Sequence, residues 1–265
     1  MKTLPARSPL PFSLKYLAAL LLAGTLLLAQ AEAAFILVDD QFNDGGAGNG
    51  ADALDAAWTF FANGGGGSAT IAAFDTTGNT TNSLRSSPAS FAFTQTAGAF
   101  TTQALADGET LSLTLDFRML SVASSGLRIG LSSSTNAFAM VFGTGSTPAG
   151  GIAQYAPSAL SGSSATLTTG GTAFAINDTL AHTFSLSLKR TGSTLSITSL
   201  VDGGNLFTGT QTGVANFTFN QVLLGQGSRV TNFNIDNVVV QIVPEPGTWS
   251  LLAMAALGLV SRRKR

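Results

Sequence analysis

The side chains able to do chemistry are few in this chain of 265 residues, and they are unevenly placed. Asp39, Asp40, Asp44, Asp52 and Asp55 crowd one short stretch, interleaved with Asn43, Asn49 and glycines. Calcium takes about six to eight oxygen ligands from flexible loops, so this composition suits it. The order of residues nevertheless departs from an EF-hand loop, and Gly50 stands where a Gly-Gly-x-Gly-x-Asp repeat needs its Asp. A single His between Ala34 and Val243, His182, and no Cys anywhere leave a zinc site without its ligands. His182 directly precedes a run with strand character and reads as a turn or strand-edge residue. Trp58 and Tyr155 are the one Trp and one Tyr of the same segment, the rings best suited to stacking on a sugar. Trp58 leads into Thr59, Phe60 and Phe61, which favours burial near a sheet edge over an exposed platform.

The two ends carry a different kind of chemistry, that of peptide signals. Lys2, Arg7 and Lys15 precede the apolar run from Leu17 to Ala29, and small residues follow as Ala29-Gln30-Ala31 and Ala31-Glu32-Ala33. A basic region, a short apolar run and small residues at that spacing form a secretory signal, with cleavage expected between Glu32 and Ala34. At the other end Pro244-Glu245-Pro246-Gly247 leads to the apolar run from Trp249 to Val260 and then to Arg262-Arg263-Lys264-Arg265. The basic cluster belongs on the cytoplasmic side, which leaves the segment between the two signals outside. The twelve apolar residues are short for a span, and snorkelling arginines with local thinning would shorten the requirement.

Composition bounds what lies between. Charged residues make up 10% of the chain, against the ~25% usual in soluble domains. Twelve acids face six bases between Ala34 and Val243, a net charge of −6. That balance offers no basic patch for a phosphate backbone and excludes nucleic acid as a partner. Without disulfides, stability must come from packing, and roughly 210 residues suit one core.

Period-two alternation supplies the elements that would position these residues. Leu111, Leu113, Leu115, Phe117 and Met119 share one face of Thr110 to Leu120, with Ser112, Thr114, Asp116 and Arg118 on the other. The pattern returns at Leu127, Ile129 and Leu131, at Phe138, Met140 and Phe142, and at Phe184, Leu186 and Leu188. Thr191-Gly192-Ser193 then reads as a hairpin connection into the strand of Leu195 and Ile197. No segment between the signals keeps a helical period for long, and no fixed repeat supports a parallel β-helix. The expected fold is all-β, a single antiparallel β-sandwich of residues 34–243, flanked by an N-terminal signal helix (1–33) and a C-terminal hydrophobic helix within the tail (244–265).

In the last strand the apolar parity changes between Ile235 and Val238, so a β-bulge is expected at Asp236-Asn237. If the terminal strands lie side by side, Asp39 or Asp40 comes near Asp236, and a structural calcium ion would relieve their repulsion.

The order Pro-Glu-Pro, short apolar segment, Arg-rich end resembles the PEP-CTERM family of exported bacterial proteins. The resemblance implies that Pro244, Glu245 and Pro246 form the recognition signal for exosortase, a membrane transpeptidase, and that Arg262, Arg263, Lys264 and Arg265 hold the tail during export. More loosely, Ile36 to Asp44, Trp58 and Ile235-Asp-Asn-Val-Val239 resemble concanavalin-like or laminin-G-like jelly-roll sandwiches. Folds of that kind also house glycosidases, which need paired carboxylates across the scissile bond. Glu109 is the one Glu between Ala34 and Val243, and no Glu-x-Asp-x-x-Glu run exists; Asp116 alternates with Arg118 on a polar face and reads as a surface pair.

The resulting expectation is an exported, non-enzymatic surface or exopolysaccharide-matrix protein. Signal peptidase and exosortase would be its partners during export, exopolysaccharide its neighbour afterwards, and its membrane association transient before it reaches the envelope or extracellular matrix. A lectin-like carbohydrate-binding module is the alternative, followed by a glycosidase. No ligand-binding residues are named by the sequence.

Overall fold

Strands form where the alternation is strongest, because one face of each can then be buried and the other hydrated. The computed structural model describes residues 34–42, 54–63, 68–73, 82–87, 93–120, 127–144, 150–157, 159–160, 164–172, 175–176, 178–226 and 232–245. Seventeen strands lie among them. The first nine are β1 (Phe35–Asp40), β2 (Ala57–Asn63), β3 (Ser68–Ala73), β4 (Asn82–Ser87), β5 (Phe93–Ala104), β6 (Thr110–Met119), β7 (Leu127–Ser133), β8 (Ala137–Thr144) and β9 (Gly150–Tyr155). Four short or long strands follow: β10 (Ala165–Thr166), β11 (Thr168–Gly170), β12 (Ala175–Ile176) and β13 (Ala181–Thr191). The last four are β14 (Thr194–Val201), β15 (Gly204–Gln211), β16 (Thr218–Gln226) and β17 (Phe233–Val243).

These strands make two sheets. One runs β11-β15-β14-β13-β6-β17-β4-β3, with β1 also paired to β17; the other runs β10-β9-β8-β7-β16-β5-β2, with β12 beside β8. All pairings are antiparallel except the two-residue β12–β8 contact. The apolar parities named from sequence face each other between the sheets: Leu111 to Met119 of β6 and Phe184 to Leu188 of β13 on one side, Leu127 to Leu131 of β7 and Phe138 to Phe142 of β8 on the other. Phe117 lies 5.7 Å from Phe142 and Phe142 5.4 Å from Phe184, ring to ring. Residues Ala34–Val243 therefore enclose one core, and among the described residues no helix is long and apolar enough to cross a membrane. Residues 1–33, where a secretory signal is expected, and residues 246–265 lie outside the described residues, and with them the expected flanking helices.

The hairpin after β13 turns on Gly192 and Ser193, with Gly192 at φ 59°. A second two-residue hairpin joins β14 to β15 through Asp202 (φ 51°) and Gly203 (φ 69°), the Asp-Gly pattern of a type I′ turn. β17 behaves as its parity change requires: its register against β6 shifts between Asp236 and Val239, and Asn237 takes φ 50°. Along its other flank β17 pairs first with β4 (Phe233 to Ile235) and then with β1 (Val238 to Ile242). The bulge thus sits where one neighbour hands over to the next.

Candidate functional site

The terminal strands do pair, with Asp39 opposite Val239 and Asp40 opposite Val238. The three aspartates are nonetheless not gathered. Asp40 shares the inward parity of Val38, Val238 and Val240, whereas Asp39 and Asp236 take the outward parity on either side of the bulge. Asp40, 3% exposed, is enclosed by N–H donors: Trp58 Nε1 at 2.7 Å, Phe42 N at 3.1 Å and Ala56 N at 3.3 Å. Asp236 accepts from Asn237 N at 2.8 Å. Among the described residues no three acidic or histidine side chains are placed to hold a metal ion. Among the described residues Asp39, Asp40 and Asp236 form no calcium cradle: alternation sends Asp39 and Asp40 to opposite faces, and the buried Asp40 and Asp236 each accept a backbone N–H bond. Asp44 and Asp52 lie outside the described residues.

Asp40 does other work. Its bond to Trp58 ties β1 of one sheet to β2 of the other, and its bond to Phe42 holds that residue at φ 53°, a left-handed conformation costly for a bulky side chain. Phe42 packs 5.7 Å from the Trp58 ring. Trp58 is 7% exposed, and a Cβ added at Gly98 of the adjoining β5 would come within 2.9 Å of its ring. The tryptophan is a core residue at the sheet edge and not a sugar platform.

His182 stands at the start of β13 with its ring 5.4 Å from Phe117. Its Nδ1 meets Asp202 at 2.7 Å and its Nε2 meets Asp178 at 2.9 Å. Burial opposes the imidazolium charge, but the hydrogen bonds and charges of Asp202 and Asp178 prevail and hold the His182 pKa above its ordinary value. Both ring nitrogens are committed to carboxylates, so the imidazole links the start of β13 to the β14–β15 turn and to Asp178. Sequence placed His182 at a strand edge without its clamp, which Asp202 completes from the β14–β15 hairpin. Asp116, on the outward face, accepts from Thr183 Oγ1 at 2.9 Å and Asn237 Nδ2 at 2.8 Å, and Arg118 donates to the Thr179 carbonyl.

The outward face of the second sheet is paved by small residues and partly roofed. Leu160, fully buried, packs over Ala137, Ala139, Ala153 and Leu223; its N–H donates to Gln95 at 2.7 Å and its carbonyl accepts from Arg128. Arg128 lies 5.2 Å over the Tyr155 ring, so Tyr155, 4% exposed, is also a packing residue. A cavity of about 280 Å³ opens beside them, lined by Arg128, Tyr155, Ser164, Thr166 and Thr168 among others. On the same sheet β16 carries a bulge between Phe219 and Gln221, where the side-chain oxygens of Asn220 and Gln221 are buried without a hydrogen-bond partner.

At the chain's end β17 stops at Val243 and Pro244-Glu245 follow; Pro246 and Arg262 to Arg265 lie outside the described residues. Proline ends the ladder because it has no N–H to donate. Residues 243–265 match the family model of the PEP-CTERM protein-sorting motif. The tail is a PEP-CTERM sorting motif. A PEP-CTERM signal implies export, C-terminal membrane anchoring before cleavage, and recognition by exosortase. No curated protein matches the chain that carries this PEP-CTERM tail. Solved structures similar to it include a basic winged bean lectin with Tn-antigen, 10% identical with a TM-score of 0.46, covering 81% of this chain and 99% of that one. An endo-1,3-beta-glucanase from Streptomyces sioyaensis is 13% identical with a TM-score of 0.45, covering 80% and 98%. A glycosyl hydrolase family 16 protein from Mycobacterium smegmatis is 16% identical with a TM-score of 0.45, covering 78% and 99%. These neighbours are concanavalin-like β-sandwiches of both lectin and hydrolase kind.

Proposed function

We propose that the chain is exported, sorted through its PEP-CTERM tail by an exosortase, and retained as a non-enzymatic constituent of the cell envelope or exopolysaccharide matrix. The observation that carries this reading is the sorting motif itself, which begins at the last residue of the last strand of the sandwich. The state of the candidate reactive groups supports it: Asp40, Asp116, Asp178, Asp202 and His182 all serve bonds that join one strand or turn to another. Intact-mass analysis of the envelope and matrix fractions tests the processing. The mature protein is expected to lack Met1 to Ala31 and the segment after Pro246; a chain still ending in Arg265 in cells with an active exosortase would overturn it.

A second reading, a glycan-binding module, draws on the open cavity of about 280 Å³ on the second sheet, where Tyr155, Ser164, Thr166 and Thr168 bring an aromatic ring and hydroxyl groups of the kind that bind sugars. A glycan array with the purified protein separates the two. Specific binding abolished by Ser164→Ala with Thr166→Ala would favour the module, and a blank array the structural role.

A further inference from the structure

Five large apolar side chains stand exposed among the described residues: Phe35, Ile36, Leu54, Leu180 and Val243. Three of them meet at one place. β1 opens with Phe35 and β17 closes with Val243, and Phe35 lies opposite Ile242. Ile36, opposite Gln241, shares the outward face with Val243, while Phe35 sits on the inner rim at 60% exposure. The apolar patch therefore wraps the end of a sheet. Lys189 lies in the cross-strand row of Val243, both being opposite Thr110 of β6. In the adjoining turn Asp107 accepts from Gly192 N at 2.7 Å and Glu109 from Ala106 N at 2.7 Å, both at the surface.

On a surface of Ser, Thr, Asn and Gly, such a patch marks an interaction site. Chain length identifies the partner. Trp249, the first residue of the tail's apolar run, is six residues beyond Val243, a reach of at most about 20 Å even when extended. While the tail is anchored, this end of the sandwich is thus kept near the membrane surface, whereas the far end is distant by the length of β17, roughly 30 Å. We propose that Phe35, Ile36 and Val243 enter the interfacial layer of the lipid bilayer while the tail is anchored. They thereby hold Pro244-Glu245-Pro246 at the depth where a membrane transpeptidase works. The partner is lipid, met by apolar side chains. This inference rests on the sorting reading above.

The chain has no Cys, so single-cysteine variants can be labelled without background. Phe35→Cys, Val243→Cys, Leu180→Cys and Leu252→Cys in the full chain would carry an environment-sensitive fluorophore. Each would be reconstituted in phosphatidylethanolamine–phosphatidylglycerol vesicles, with and without lipids spin-labelled close to the headgroup. Leu180, 65% exposed at the start of β13 and so at the far end, is the solvent reference; Leu252 reports on the tail. Labels at 35 and 243 are expected to be quenched several-fold more than the label at 180. Equal quenching at all three sandwich positions overturns the proposal. So do labels at 35 and 243 that are shielded from water yet unquenched, which would put protein on the patch. An unquenched label at 252 refutes the anchoring reading itself, a result distinct from failure of the patch alone.

Discussion

Replacing Asp40 by Asn keeps the shape of the side chain and removes its charge and one of its acceptor oxygens. In the wild type Oδ1 accepts from Phe42 N, and Oδ2 accepts from Ala56 N and Trp58 Nε1, all within a 3% exposed pocket. The asparagine carbonyl can serve Trp58 and Ala56, but its NH2 then meets the Phe42 N–H, donor against donor. One buried donor goes unsatisfied and a charge-assisted bond becomes neutral, a loss of about 2 kcal/mol; alanine, which abandons every acceptor, costs about 4 kcal/mol. For a unit of this size each kcal/mol lowers the midpoint by about 2–4 °C, so Asp40→Asn should melt about 4–8 °C lower and Asp40→Ala about 8–16 °C lower. Far-ultraviolet circular dichroism on heating reads this directly, and the Trp58→Phe variant in a double-mutant cycle isolates the shared bond. If Asp40→Asn melts within about 1 °C of wild type, the carboxylate does not hold the sheets together and the reasoning fails.

The His182 clamp has a pH signature. Because its folded pKa is raised, its contribution is fully present below the ordinary imidazole value of 6.5 and is lost as pH rises through the folded value. The melting midpoint of wild type should therefore fall relative to His182→Gln as pH is raised from 6 towards 9, and parallel curves would show that the clamp contributes nothing. Calcium should be without effect: thermal unfolding in excess Ca²⁺ and in chelator is expected to give one midpoint, since no three acids among the described residues are placed to share an ion, and a rise with Ca²⁺ would reveal a cation site by mass action.

Much of this architecture was legible in residue order. The strands around Leu113, Ile129, Met140 and Leu186 follow from period-two burial, and the bulge at Asp236-Asn237 from a parity conflict that only an extra residue resolves. Trp58 was readable as a core residue because Thr59 and two phenylalanines, Phe60 and Phe61, follow it. What escaped depends on partners far apart in the chain. No local rule says that β16 lies between β5 and β7, or that Asp40 finds an indole eighteen residues on. The terminal strands pair as the aspartate argument required, but pairing alone does not aim side chains at one point: alternation sends Asp39 and Asp40 to opposite faces. The Asp202-Gly203 turn carried its own signal, an Asp-Gly pair between alternating runs, and through it the clamp on His182 was within reach.

The position of β17 has a temporal meaning. A chain threaded through a membrane from its N-terminus delivers this strand last, yet β17 is the inner strand on which β1, β4 and β6 all close. Until it emerges, three earlier strands wait with open edges, exposed to pairing with other chains. Their contacts with β17 span most of the sequence, the kind that forms slowly. A tail that pauses in the bilayer immediately behind Val243 keeps the missing strand beside its partners during that interval. Membrane retention would then act as a folding aid, giving the sheet time to close on β17 before the protein is released.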